Sequence, residues 1–173
     1  MKPSVRAGLY AGLLSGLWVV SCFTVVSWVN RSLHLDIPAW RIRAYSGLFS
    51  IIILVMGIYL GMREAKRRNG WHLTYGQAIR TGVIISVIAG ILVALFSWLY
   101  CTVINPGYAT FMIREAENAL IAAHENQEAI VKHLKEVRQE FSTGAQVLMA
   151  LVGQIVVGII SSLVIGFFIK TKK

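Results

Sequence analysis

Residues 124–128 read His124-Glu125-Asn126-Gln127-Glu128, close to the pattern in which two histidines four apart on a helix hold zinc beside a glutamate base. The second histidine is missing. A metal would therefore have to be shared by His124 and Glu128 across an i, i+4 helix face, with His133 or a nearby glutamate as third ligand. The plainer reading is a solvated helix surface without metal, on which Glu128, Lys132 and Glu136 follow one another at the spacing of ordinary ion pairs. Cys22 and Cys101 have no neighbouring ligand cluster, which makes zinc or iron–sulfur binding improbable and leaves them as small packing residues. His34 and His72 show no partner in the sequence. With no Ser/His/Asp set, phosphate loop or paired carboxylates in a plausible cleft, the residues support no enzyme and imply no cofactor.

Two polar features remain. Gln154 stands alone as a strongly polar side chain inside a long apolar run, where an amide more often makes an interhelical hydrogen bond than a transport site. Arg63, Lys66, Arg67 and Arg68 form a basic cluster immediately after another apolar run. Such clusters ordinarily set membrane topology and meet anionic lipid, so lipid is the expected partner and nucleic acid is not.

These residues must be positioned by elements that cross a membrane. Hydrophobic residues make up 56% of the 173 and charged ones only 14%, too apolar for an ordinary soluble domain. The apolar residues fall into uncharged runs at 7–29, 44–62, 82–104 and 145–169, and about 20 helical residues cross a hydrocarbon core of about 30 Å. The expected fold is all-α: a single polytopic domain over 1–173 in which a four-transmembrane-helix bundle supplies its own core. Lys2 and Arg6 before the first run, with Val19-Val20-Ser21-Cys22 inside it, could signal lipoprotein cleavage. The chain stays apolar through Val29, however, which suits a span better.

Charge orients the bundle. The first residues, the second connection and the tail together carry ten Lys and Arg against Glu64 alone, whereas the other two connections balance seven against seven. The basic face is expected in the cytoplasm, with both termini, although Arg41 and Arg43 sit close to the second span on the other side.

Each span has small residues four apart, placing them on one face where backbones can approach. They are Gly8, Gly12 and Gly16 in the first, Gly57 and Gly61 in the second, Gly82, Ser86, Gly90 and Ala94 in the third, and Gly158, Ser162 and Gly166 in the fourth. Contacts within the chain are favoured over those of a homo-oligomer. Pro38 with Trp40 marks an interfacial turn, Asn69-Gly70 a turn, and Thr74 the cap of a helix entering the third span.

The connection over 108–142 is the unusual one. Asn105-Pro106-Gly107 stops the third span, and beyond it Ile113, Ala116, Leu120, Ala123, Gln127, Ile130, Leu134, Val137 and Phe141 recur by threes and fours as an amphipathic stripe. One straight helix would be about 50 Å long at about 1.5 Å per residue and, standing upright, could not return to the bilayer. The segment either lies flat or folds near 124–127, and the helical hairpin is preferred because Asn126 can cap a second arm.

Gly57-Ile58-Tyr59 before a basic run, then Gly70, then Leu73-Thr74-Tyr75-Gly76-Gln77-Ala78-Ile79-Arg80-Thr81-Gly82, then Asn105-Pro106 and Gly158-Ile159-Ile160-Ser161-Ser162-Leu163 resemble the uncharacterised bacterial family called domain of unknown function 4199. The resemblance covers nearly the whole chain. It implies a four-span inner-membrane protein and brings no activity or functional residue with it. The reading from sequence is a non-enzymatic interaction or accessory subunit using its extracytoplasmic hairpin toward a protein partner. A small oligomeric channel or transporter is the alternative.

Overall fold

A computed structural model describes residues 1–26, 28–29, 32 and 39–171, with backbone alone at 26 and 39–44. The chain is helical, with no strand among the described residues. Helix α1 spans Pro3–Ser21, α2 Ala39–Arg68, α3 Tyr75–Leu99, α4 Tyr108–Ala122, α5 Gln127–Glu140 and α6 Thr143–Ile169. Four helical stretches are long and apolar enough to cross a membrane: Pro3–Val25, Tyr45–Arg68, Tyr75–Ile104 and Thr143–Ile169.

Each begins earlier than the uncharged run that marked it, or runs on past it, because helices continue beyond the hydrocarbon. Pro3 opens α1, where a missing N–H costs nothing. Thr74 and Gln77 cap α3 reciprocally, the Gln77 amide donating to Thr74 Oγ1 at 3.3 Å and the Thr74 amide to Gln77 Oε1 at 3.0 Å. In the first span a π-helical turn runs over Cys22–Val26, and Trp28 and Val29 beyond it are helical. A matching turn over Tyr100–Ile104 ends the third. Within them Thr24 and Thr102 each donate to the carbonyl four residues back, Val20 and Trp98, at 2.7 Å.

Helix α3 packs along both α1 and α6, α2 lies along α1, and α2 approaches α3 and α6 less extensively. The contact faces are small: Ser4, Gly8, Ala11, Gly12, Ser15 and Gly16 are the buried residues of α1, and Gly158, Ser162 and Gly166 accompany Gln154 in α6. Large side chains point the other way, with Leu14, Leu17, Leu48, Ile52, Met56, Leu60, Ile91, Leu95, Leu148, Val156 and Phe167 exposed. So continuous an apolar outer surface is the arrangement expected when the solvent is lipid, since water does not tolerate it. The protein is a multi-pass membrane protein.

At one end the connection between α2 and α3 is tied to the end of α6. Gly70 and Trp71 turn the chain with φ of 61° and 64°. Lys66 Nζ donates to the Ile169 carbonyl at 2.8 Å, the Thr171 amide to the Leu73 carbonyl at 2.9 Å, and the Leu73 amide to Thr171 Oγ1 at 2.9 Å. At the opposite end α4 and α5 pack against each other, joined by a turn with His124 at φ 56° and capped by Asn126 Oδ1, which accepts from the Ala129 amide at 2.7 Å. Pro38 of the expected interfacial turn, Arg31, His34, Lys172 and Lys173, and the side chains of Trp40, Arg41 and Arg43 lie outside the described residues, and the backbone of Trp40 is already in α2.

Candidate functional site

Gln154 sits on the inner face of α6 with 9% of its surface exposed. Its Nε2 donates to Ser50 Oγ on α2 at 2.8 Å, and Ser15 Oγ of α1 reaches the Ser50 carbonyl at 3.5 Å. The polar chain thus links three helices, matching the interhelical hydrogen bond expected of a lone intramembrane amide. Gln154 Oε1, by contrast, is buried without a partner, as is Trp18 Nε1, among the described residues.

Gln154 is among the residues lining a cavity of about 320 Å³ between α2 and α6, toward the end nearer α4 and α5. Val93 and Val157 line its deep side with Gln154, and Phe23, Tyr100 and Tyr108 its outer end. Ser46, Ser50 and Ser97 bring hydroxyls, and none of the described lining side chains is charged. Gly47 and Gly153 flank it, both exposed and both with open space where a Cβ would stand. The missing side chains at these two positions leave the mouth of the cavity open. Sequence spacing missed them, because neither belongs to a four-residue repeat.

The nine glycines expected at helix contacts all lie at such contacts within the chain. Gly8, Gly12 and Gly16 of α1 receive Ile88, Leu92 and Phe96 of α3. Gly57 and Gly61 of α2 receive Ala11 and Ala7 of α1. Gly90 lies against the Leu151 carbonyl, where a Cβ would stand 3.2 Å away, and Gly166 against Ala78 and Tyr75. Between α3 and α6 the fit is reciprocal: Gly82 takes Ser162 and Gly158 takes Ser86, so two Gly-x-x-x-Ser faces nest antiparallel. Both serines are fully buried and satisfied within their own helices, Ser86 Oγ donating to the Gly82 carbonyl at 2.8 Å and Ser162 Oγ to the Gly158 carbonyl at 2.6 Å.

In the basic cluster Glu64 pairs with Arg67 at 3.0 Å and Arg68 at 2.8 Å. Lys66 acts instead on the Ile169 carbonyl at the end of α6, a capping role that its place in the cluster gave no sign of.

The stripe of 108–142 lies between α4 and α5. Ile113, Ala116, Leu120, Ile130, Leu134 and Val137 are partly covered and Phe141 is buried, whereas Ala123 and Gln127 are exposed at the turn. Tyr108 anchors the base of the pair, its ring edge-on to Phe23 and Tyr100 at 5.6 Å and to Phe141 at 6.1 Å. The helical face on which His124 and Glu128 were to share a metal does not form. Helix α4 ends at Ala122 and α5 starts at Gln127, so His124 and Glu128 share no i, i+4 face. The His133–Glu136 contact is 4.0 Å long and both side chains are exposed. Cys22 and Cys101 are not joined in a disulfide, and both are partly buried.

Among known families, the one described as "Protein of unknown function (DUF4199)" matches residues 6–171. No curated protein and no solved structure matches the chain.

Proposed function

This chain belongs to the family of proteins of unknown function DUF4199, which hands on no activity, and we propose that it acts by interaction and not by catalysis. It is an integral protein of the bacterial cytoplasmic membrane, a four-helix bundle with both termini and Arg63–Arg68 in the cytoplasm. The paired α4 and α5 form an extracytoplasmic helical hairpin that meets a protein partner. The basic end rests on anionic lipid headgroups.

One observation carries this reading. The apolar stripe of 108–142 is spent between the two arms, while Arg114, Glu115, Glu125, Glu128, Lys132 and Lys135 stay exposed, and the aromatic contacts of Tyr108 hold the arms in a defined place on the bundle. A connection of this length with its own structure, held rigidly and polar outside, is suited to recognition. A water-filled path through one chain is disfavoured, because Leu54, Ile58, Met62, Ala78, Ile85 and Ala89 fill the half of the bundle nearer Leu73.

A photo-cross-linking residue placed at exposed Ile121 or Val131 should give a discrete protein adduct in native membranes. The same residue at Leu120 or Leu134 should give none. Absence of an adduct from every outward position would refute the recognition role.

A further inference from the structure

We propose that the groove between α1 and α2 binds an anionic glycerophospholipid, with its phosphate at Arg6 and an acyl chain laid along the groove, a reading that rests on the basic end lying among anionic headgroups. The groove encloses about 420 Å³, within the range of small-molecule sites, about 300–1,000 Å³. Its floor is the close contact of Gly57 and Gly61 with Ala11 and Ala7, where an added Cβ would stand 2.7 Å and 2.9 Å from the facing methyl groups. Its walls are Tyr10 and Leu14 on one helix and Met56 and Leu60 on the other, all exposed, so it opens sideways toward lipid.

Length and depth point to an amphiphile. From Pro3 to Leu14 the groove follows α1 for about 16 Å at about 1.5 Å per residue, close to half of a hydrocarbon core of about 30 Å. That is the depth an acyl chain covers in one leaflet. The charged lining residues, Arg6 and Glu64, stand together at one end, just outside the uncharged runs 7–29 and 44–62.

Charge at that end selects the head. Arg6 is exposed, and its side chain makes no hydrogen bond or ion pair among the described residues, leaving the guanidinium fork open to phosphate oxygens. Glu64 offsets little of this, because Arg67 at 3.0 Å and Arg68 at 2.8 Å already hold its carboxylate. Lys2, also exposed, stands four residues before Arg6. Helix α1 opens at Pro3 without an acid in its first turn or a side chain capping its amides, so its positive end adds to the same field. A zwitterionic head would bring its own cation into this surplus of base, which an anionic one does not.

The test uses the full-length protein in lipid nanodiscs that contain phosphatidylglycerol with a photoactivatable group at the end of one acyl chain, and labelled peptides are mapped by mass spectrometry. Labelling should concentrate at 10–14 and 52–56. Enriching the disc in unlabelled phosphatidylglycerol should displace the probe better than enriching it in phosphatidylcholine. Arg6→Gln, at an exposed side chain without a partner in the fold, should weaken that preference by roughly fivefold, the value of one basic residue beside anionic headgroups. Arg80→Gln removes the same charge from α3 at the same end but outside the groove and should change it far less. Equal losses in the two variants would overturn the seat at Arg6 while leaving the diffuse attraction of the basic end intact. Equal displacement by phosphatidylcholine would overturn both. Label spread evenly over α3 and α6, or none in the groove because a second copy of the chain covers it, would overturn the proposal as well.

Discussion

Adding one methyl group to α6 should have opposite effects at Gly158, in the seam with α3, and at Gly153, outside it. At Gly158 an added Cβ would fall on Ser86 Oγ, with the Ser86 Cα only 3.5 Å away. Ser86 is fully buried and its hydroxyl is bonded to the Gly82 carbonyl, so the side chain has no free rotamer into which to retreat. The helices must separate, at a cost of about 1–3 kcal/mol for overpacking. Gly153 lies on the same helix with nothing within 4 Å, and alanine there gains up to about 1 kcal/mol of helix propensity. The two substitutions should therefore differ by about 1–4 kcal/mol. At about 2–4 °C per kcal/mol for a chain of this size, that corresponds to a gap of a few degrees or more. Heating each variant in detergent and measuring the monodisperse fraction reads it directly. Ser86→Gly should rescue Gly158→Ala, since it empties the space the new methyl needs. Equal melting of the two alanine variants, or no rescue, would refute the nested-seam reasoning.

Other expectations follow from single contacts. Thr74→Ala removes one side of the capping box and should cost about 1 kcal/mol, seen as a lower denaturation temperature in the same assay. Gln154→Leu loses the Ser50 bond, worth about 0.6 kcal/mol on average in membranes, but also removes an unpaired acceptor. Its melting should therefore lie close to that of the wild type. Because Tyr108 meets Phe141 at the base of the arms, antiparallel pairing places Leu120 opposite Ala129 and Ile130, and a Leu120→Cys, Ile130→Cys pair should cross-link far faster than Leu120→Cys, Leu134→Cys on non-reducing gels.

Much of the fold was legible because lipid imposes simple rules on sequence. Uncharged runs marked the spans, and Thr74, Asn69-Gly70 and Asn126 marked turns and caps through side-chain chemistry that acts within a few residues. The four-residue spacing of Gly82, Ser86, Gly158 and Ser162 located the packing faces, but spacing on one helix says nothing of which helix it meets. The reciprocal nesting needed coordinates. So did the aromatic anchor, since Phe23, Tyr100, Tyr108 and Phe141 come from four separate segments. The π-helical turns after Ser21 and Leu99 had no local marker. Gln154 stood out as a polar residue in an apolar run, whereas its cavity is made by missing side chains at Gly47 and Gly153, which a search for chemistry passes over.

The account turns on sidedness: the basic end holds the termini and Arg63–Arg68, and α4 with α5 stands on the other side. Single cysteines at Gly70, Ile121 and Thr171, in a chain with Cys22 and Cys101 replaced by serine, can be titrated in intact cells with a membrane-impermeant maleimide. The account predicts labelling at Ile121 before lysis, and at Gly70 and Thr171 only after it. Labelling of all three positions from the same side would contradict it.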